Sequence, residues 1–209
     1  MPTVARASYR HGDLRQALLD AGLEMAREGG PDAVVLREAT RRAGVSPNAA
    51  YRHFADRSEL VEAVSDAAQS LVAGAIEAEW DAVPATLSAE EAAHAHLRAV
   101  GRGYLGFARD EPGLFRAAFT VPGDLDQALS PEKAGPGGRT SFQLLGIALD
   151  ELVAVGALPP ERRPGAEFSA WSAVHGLAML VLEGPLRGLD PEVARAAAVR
   201  LIDMVDRGL

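Results

Sequence analysis

The chain has 209 residues, 48% of them hydrophobic, and a formal net charge of −8 at neutral pH. A chain of this length buries about 70% of its unfolded surface, so its core needs no disulfide or metal for stability. It contains no cysteine, which excludes disulfides, thiolate metal sites and a cysteine nucleophile. The acidic balance argues against indiscriminate binding to nucleic acids but permits one local contact patch.

No part of the sequence has the composition of a targeting or membrane segment. The first residues contain no apolar run, which argues against a secretory signal. The longest apolar stretch, residues 166–182, includes Glu167 and His175 and is shorter than the roughly 20 apolar residues of a membrane span. We therefore expect a buried helix there, no membrane partner and a cytoplasmic protein.

Hydrophobic residues recur with helical spacing nearly throughout, and no run alternates as a strand would, so the pattern predicts an all-α fold. The first predicted helix has a pair with capping-box spacing, Asp13 and Gln16, and ends at a Gly-Gly-Pro stretch. A short second helix is expected over residues 36–43. A third begins at Pro47, with Ser46 as its N-cap.

Longer helices are predicted for most of the remaining chain, at about 56–82, 89–109, 112–119, 140–155, 161–182 and 191–207. Residues 121–139 are rich in proline and glycine, which favours a loop with freedom to move. The long fourth helix marks the predicted boundary between two units. Residues 1–56 form a three-helix N-terminal unit, and residues 57–209 form a larger helical bundle.

The second and third helices have the layout of a helix-turn-helix, in which a tight turn sets the second helix into the major groove of DNA. Gly44 can take the positive φ that the turn needs. Val45 supplies an apolar plug between the helices, while Ala50 and Phe54 are four residues apart and can both face inward. Residues 35–57 carry five arginines against two acids, a local excess of positive charge.

The outward positions of this unit carry groups that suit DNA. Asn48 can pair with adenine, and Arg52 with guanine or a phosphate. The Tyr51 hydroxyl suits a phosphate, which positions the protein without reading sequence. The contact residues expected from this geometry are Arg37, Arg41, Ser46, Pro47, Asn48, Ala49, Tyr51 and Arg52. The alternative is a helical hairpin with no DNA role. For Tyr51 and His53 individually, a further alternative is that they mainly pack in or next to the core.

The stretch REATRRAGVSPNAAYRHFADRSEL, residues 37–60, resembles the DNA-binding segment of the TetR family of transcriptional regulators. The similarity lies in the Ala-Gly-Val-Ser turn, the Tyr-x-His-Phe ending and the basic Arg57 three positions later. HGDLRQALLDAG, residues 11–22, is also similar to the family's first helix. The resemblance adds His53 to the DNA-contact set and implies that Arg57 contacts a phosphate.

Two departures from the family pattern lie in the second helix. The chain has Val35 where the family usually has a capping serine or threonine, so one phosphate contact is expected to be missing. Ala39 and Thr40 replace the usual aliphatic-alanine pair, which is expected to loosen the packing beneath the recognition helix.

We find no catalytic constellation in the larger unit and predict no enzyme activity, cofactor or metal. His94 and His96 are two residues apart, so on a helix they point in different directions and do not share a metal easily. Acidic pairs such as Glu90 and Glu91 lie in solvated stretches, where a structural role is the simpler interpretation.

The apolar stretch 166–182 of the predicted helix 161–182 has apolar residues on all sides, so both sides of the helix must be buried. One side can pack on its own bundle and the other on a second copy, giving a four-helix homodimer interface with the last helix. The alternative is a monomer with a fully internal helix. The predicted interface residues are Ala170, Ala173, Val174, Leu177, Val181, Ala194, Ala197, Ala198, Leu201, Ile202 and Val205.

WSAVHG, residues 171–176, looks like the Trp-His-Gly signature of one class of TetR-family C-terminal domain, and residues 104–119 resemble its middle segment. The resemblance implies a small effector inside this unit, which changes the separation of two recognition helices. The candidate lining residues are Tyr104, Phe107, Phe115, Phe119, Phe142, Trp171, His175 and Met179. Aromatic walls with few polar groups suit a largely apolar ligand, although ordinary core packing remains open for each residue.

These observations predict a homodimeric repressor that binds a palindromic DNA operator and is released by a small, largely apolar effector. The alternative is a helical-bundle protein that binds a small molecule, or an enzyme, with a non-functional helix-turn-helix.

Overall fold

The computed structural model describes residues 11–209, with side chains from residue 14 onward. This part of the chain contains ten α-helices and no strand, which confirms the all-α prediction. The helices α1 to α10 are His11–Gly29, Leu36–Arg42, Pro47–Ala50, Arg57–Asp81, Ala89–Asp110, Pro112–Ala118, Leu125–Ala128, Ser141–Ala154, Ala166–Leu182 and Pro191–Gly208. None of the described helices is both long and apolar enough to cross a membrane.

The N-terminal unit packs around one apolar core. Leu18 and Met25 of α1, Leu36 of α2 and Phe54 after α3 are all buried there. The first turns of α4 complete this core with Leu60 and neighbouring residues. The helical stripe on α1 thus covers the turn between α2 and α3, as amphipathic packing requires.

The larger unit is a bundle in which α4 and α5 form the most extensive pair and α8, α9 and α10 pack against them. Gly103 lets α4 and α5 approach closely, since a Cβ at that position would lie 2.5 Å from Cα of Ile76. Buried residues of four of these helices, from Val72 to Ala178, share one continuous core.

The two units are joined by more than the connecting helix. Leu114 and Ala117 of α6 are buried in the N-terminal core, although they lie far along the chain in the larger unit. Gly113 brings α6 against the end of α1, where a Cβ would lie only 2.3 Å from the carbonyl oxygen of Ala26. The N-terminal core therefore extends beyond the predicted boundary at residue 56.

Three element boundaries differ from the sequence prediction. The described part of α1 is already helical at His11, so Asp13 lies inside the helix and is not its N-cap. α9 begins only at Ala166, because Pro164 and the positive φ of Gly165 (78°) separate it from a short 3-10 turn. The 121–139 stretch is not a plain loop, since it contains α7 and a second 3-10 turn.

The end of that stretch is fixed to α4. We call residues 131–137 the strap. The Ser70 hydroxyl donates to the carbonyl of Ala134 at 2.6 Å, and the carboxylate of Glu77 accepts from the backbone N–H of Gly137 at 3.0 Å. With Gly74 between them, these α4 residues form one face along which the strap lies.

Candidate nucleic-acid interface and ligand cavity

The turn between α2 and α3 has the geometry that a helix-turn-helix requires. Gly44 adopts a φ of +67°, and the N–H of Val45 donates to the carbonyl of Thr40 at 3.0 Å. Ser46 caps α3, because its hydroxyl accepts from the N–H of Ala49 at 3.3 Å. Ala50 is fully buried, which anchors the inner side of this single-turn helix in the core.

The outer side of α3 is exposed. Pro47, Asn48 and Arg52 face solvent, while Ala49 and His53 are half-buried. Tyr51 is 57% exposed, so it is a surface residue and does not fill the core. The groups expected to contact DNA therefore form one surface above Ala50 and Phe54.

Two of the arginines of α2 form ion pairs with acidic residues. Arg41 donates to Glu38 at 2.7 and 2.8 Å, and Arg42 bridges Glu28 of α1 and Glu38. The hydrogen bonds from Arg41 and then Arg42 lower the pKa of Glu38 to about 2. Arg37 and Arg52, in contrast, make no hydrogen bond or ion pair with the described part of the chain. Their guanidinium groups are therefore available to a phosphate.

Arg57, predicted as a phosphate contact, also has a structural role. Its guanidinium donates to the carbonyls of Val34 at 2.7 Å and Pro31 at 2.9 Å, which fixes the start of α4 to the segment before α2. The positive charge of Arg57 is thereby held in one place at the exposed head of α4.

Both departures from the family pattern have a visible local outcome. Val35 precedes α2 without a side-chain cap, and its side chain is 44% exposed. Thr40 is buried with its hydroxyl donating to the carbonyl of Arg37 at 2.6 Å, and Ala39 is fully buried. The polar group at position 40 is therefore satisfied within α2 itself.

Two adjoining cavities lie inside the larger unit. The inner one is narrow and apolar, about 60 Å³, and lies between α4, α5, α8, α9 and α10. The outer one is a wider cleft of about 410 Å³ beside α7. Both are lined by Gln69, Phe119, Ala128, Lys133 and Trp171, so these residues separate one space from the other.

A hydrogen-bonded chain of three side chains forms part of these walls. The indole N–H of Trp171 donates to the hydroxyl of Tyr104 at 3.2 Å, and that hydroxyl lies 2.8 Å from Nδ1 of His175. Burial raises the pKa of Tyr104 and lowers that of His175, so both are neutral near pH 7. In the tautomer of His175 that carries its proton on Nε2, the Tyr104 hydroxyl donates a hydrogen bond to Nδ1.

The predicted ligand-lining residues divide into three groups. Tyr104, Phe119, Phe142 and Trp171 line the inner cavity, and His175 lines the outer cleft together with two of them. Three others line neither cavity and pack within or against the core. They are Phe107, Phe115 and Met179.

Sequence reasoning missed the polar groups that line the cavities. Gln69 of α4 donates to the carbonyl of Ala118, and Thr140 caps α8 at the cavity wall. Lys133, the only lysine of the chain, lines both spaces. Its uniqueness among twenty arginines was the available clue, but its position in a Pro/Gly-rich stretch favoured a loop interpretation.

The predicted dimer residues lie on α9 and α10, and several of them face inward. Ala170, Val174 and Ile202 are buried within the protomer, because they contribute to its core or to the cavity wall. Leu201 and Val205 pack half-buried against the bundle core. The remaining predicted residues are half-buried: Ala173, Leu177, Val181, Ala194, Ala197 and Ala198.

The outer face of α9 and α10 carries small and apolar residues. These differ from the predicted interface residues that face inward. The exposed members are Ser169, Ser172, Leu180, Val193 and Met204. Gly176 is half-buried, one turn of α9 after Ser172, and no atom lies within 4 Å of where its Cβ would be. The surface open to a partner therefore includes residues that the sequence did not single out.

Among the described residues there is no cluster of three or more histidine or acidic side chains that could hold a metal ion. His94 and His96 instead pair with Asp206 and Glu151 at 2.6 and 2.7 Å, which ties α5 to α10 and α8.

A helix-turn-helix joined to a bundle with an internal cavity defines a class of DNA-binding regulators that carry their own ligand-binding domain. Residues 18–64 match the model for bacterial regulatory proteins of the tetR family, and residues 97–205 match that of a tetracyclin repressor-like C-terminal domain. The chain therefore belongs to the TetR family of transcriptional regulators.

Solved structures share the fold over nearly the whole chain. A protein of unknown function from Rhodococcus sp. RHA1 is 26% identical, with a TM-score of 0.73 over 98% of this chain and 99% of that one. The TetR family regulator PfmR from Thermus thermophilus is 19% identical, with a TM-score of 0.55 over 92% and 98%. A TetR-family regulator from Pectobacterium atrosepticum is 17% identical, with a TM-score of 0.56 over 98% and 96%. No curated protein matches the chain.

Proposed function

We propose that this protein is a ligand-responsive transcriptional repressor that binds a palindromic operator as a homodimer and is released by a small, largely apolar effector. The observation that carries the DNA-binding part is the outer surface of α3. Asn48 and Arg52 are exposed there above a rigid apolar core, and Arg37 is exposed nearby without an acidic partner.

The effector part rests on the inner cavity. Its walls are mostly aromatic and aliphatic, with a few fixed polar groups such as the Tyr104 hydroxyl. Such a lining favours a ligand with a substantial apolar part. Gln69 of α4 lines this cavity, and the first turns of the same helix pack in the N-terminal core. A ligand that prefers one position of α4 would therefore shift the population of DNA-competent protein.

The homodimer part rests on the outer face of α9 and α10. Ser169, Ser172 and Gly176 are small and allow close helix approach, while Val193 and Met204 add exposed apolar area beside them. A second copy of the same face would bury these side chains around a twofold axis. Two recognition helices related by that axis match a palindromic operator.

The test is a selection of random double-stranded DNA with the purified protein, followed by fluorescence anisotropy on the enriched sequence. We expect nanomolar, salt-sensitive binding. Asn48→Ala should cost about 1–3 kcal/mol and relax the preference at particular base pairs. Arg57→Ala should weaken binding to every sequence and reduce the salt slope by about one unit.

Thermal melting must accompany the Arg57→Ala measurement, because Arg57 also holds the carbonyls of Pro31 and Val34. Failure to enrich any sequence with a folded protein would contradict the regulator proposal. A change of base preference in Arg57→Ala would instead contradict the assigned orientation of the motif.

A further inference from the structure

Lys133 is the one lysine or arginine among the described residues that line the two cavities. Its side chain is only 12% exposed, although lysine is seldom buried without a specific partner. Most of the inner wall around it is apolar, from Ile76 and Val100 to Leu145. A cation where the two cavities meet can bind an anionic group on an otherwise apolar ligand.

The present partner of Lys133 leaves room for a second one. Nζ lies 3.6 Å from a carboxylate oxygen of Asp66 on α4, which is longer than the about 2.7–2.9 Å of a strong charge-assisted hydrogen bond. The ammonium group has three N–H donors, so one distant carboxylate does not saturate it. Burial raises the pKa of Asp66, with Lys133 opposing that shift, so the carboxylate is itself poorly solvated.

We propose that the effector carries an anionic group, a carboxylate or its equivalent, which binds Lys133 in competition with Asp66 while the apolar part lies across the inner cavity and the adjoining cleft. This proposal rests on the proposed function and names the chemical class of its ligand. The geometry that supports it is the location of Lys133 on the wall shared by both cavities, within reach of Asp66.

Displacement of Asp66 from Lys133 would also affect α4 close to the N-terminal unit. Asp66 follows directly on the part of α4 whose Leu60 and Val64 are buried in the N-terminal core. The strap keeps its other α4 contacts, at Ser70 and Glu77, when Lys133 turns to a ligand. Binding therefore changes the charge balance of α4 at one point without detaching the strap.

Calorimetry with octanoate and octan-1-ol tests the proposal, because the two probes share an alkyl chain and differ in charge. We expect wild-type protein at pH 7.5 to bind octanoate about tenfold more tightly than octan-1-ol, as a charge-assisted hydrogen bond implies. Lys133→Met should reduce the ratio of the two affinities to about one. Asp66→Asn should strengthen octanoate binding by removing the competing carboxylate.

Ser70→Ala is the matched control, because it removes a strap contact on the same face of α4 without touching the Lys133 charge. It should leave the ratio of the two dissociation constants unchanged. Three results would each overturn the proposal. They are equal affinities of the wild type for the two probes, no binding of either probe at millimolar concentration, and a preference for octanoate that survives Lys133→Met.

The calorimetry uses no DNA, so its outcome does not depend on whether the protein binds an operator. A protein that binds its operator but shows no preference for octanoate contradicts only the anionic ligand. A protein with the preference that selects no DNA contradicts only the regulator.

Discussion

The apolar wall of the cavities contains three polar groups that carry no charge. They belong to Tyr104, Trp171 and His175. The Tyr104 hydroxyl accepts from Trp171 and is hydrogen-bonded to Nδ1 of His175, so each of the three side chains has a hydrogen-bond partner. This satisfaction matters because an unpaired polar group in such a wall costs about 1–3 kcal/mol. The chain also fixes the orientation of two aromatic rings that line the inner cavity.

His175 makes the stability of the fold sensitive to pH. Burial lowers its pKa in the folded state below the 6.5 of an exposed histidine, so the unfolded chain binds more protons between the two values. The contribution of neutral His175 is therefore complete above about pH 6.5 and is lost as the pH falls through the folded-state pKa. Protonation would also turn Nδ1 into a donor facing Tyr104.

His175→Asn removes this titration and keeps an acceptor near the position of Nδ1. We expect the free energy of unfolding of the wild type, measured in urea, to fall relative to the variant between pH 7.5 and pH 5. One titrating group limits the slope to about 1.4 kcal/mol per pH unit. Parallel pH profiles for the two proteins would show that His175 does not titrate in this way.

At the residue scale, sequence reasoning worked where one local rule decides the outcome. The cap at Ser46, the positive φ of Gly44 and the inward direction of Ala50 each follow from neighbours within four positions. Lys133 could not be placed this way, because its burial depends on α4, more than sixty residues away along the chain.

At the scale of elements, α6 is the second connection between the two units. It is only seven residues long, yet Leu114 and Ala117 enter the N-terminal core while Phe115 and Ala118 enter the bundle core. α6 therefore packs in both cores at once. The separation of α6 from α1 is set by Gly113, whose missing Cβ leaves room for the carbonyls that end α1.

Gly113→Ala should therefore push α6 away from α1. The new methyl would lie 2.3 Å from the oxygen of Ala26 and 2.6 Å from that of Arg27, and neither backbone atom can turn aside as a side chain would. We expect the variant to lose about 1–3 kcal/mol of unfolding free energy, the usual effect of overpacking. Chemical denaturation measures it.

Gly106→Ala provides the comparison, because no atom lies within 4 Å of the added methyl in α5. This change should be neutral or stabilising by up to about 1 kcal/mol, as alanine favours the helix. Equal losses in the two variants would contradict the role assigned to Gly113.

Helix ends were predictable to within a few residues where a cap or a proline marks them, as at Thr140 and Asp190. The start of α9 was predicted five residues too early, since Pro164 was taken to lie within a helix whose first turn is interrupted by Gly165. The 121–139 stretch has loop-like composition, and only its contacts with α4 give it a fixed position.

At the scale of the whole molecule, charge is separated along the chain. Residues 1–60 have a net charge of +1, and residues 61–209 have a net charge of −9. The acidic bundle repels the phosphate backbone, so attraction is confined to the surface around α3 and the head of α4. Even there, Glu38 holds Arg41 and Arg42, which limits non-specific attraction further.

Gly176→Arg tests the proposed homodimer at this scale. No side chain or neighbouring backbone lies within 4 Å of a Cβ at this position, so a side chain can start there without a clash in the protomer, and its length would obstruct a partner. We expect a monomer at micromolar concentration by light scattering, and operator affinity reduced by roughly 100-fold because the two half-sites no longer act together. Ala78→Arg, on an exposed position of α4, is the control and should remain dimeric. A dimeric Gly176→Arg variant would place the interface elsewhere.

The single lysine also makes the protein unusually simple to label. A reagent specific for amines has one side chain to modify, Lys133, besides the α-amino group of the chain. Because that side chain stands on the wall between the two cavities, an isotope-labelled methyl group placed on it by reductive methylation would report directly on their contents. Its resonance would give a site-specific titration curve for any ligand that enters, without further engineering of the chain.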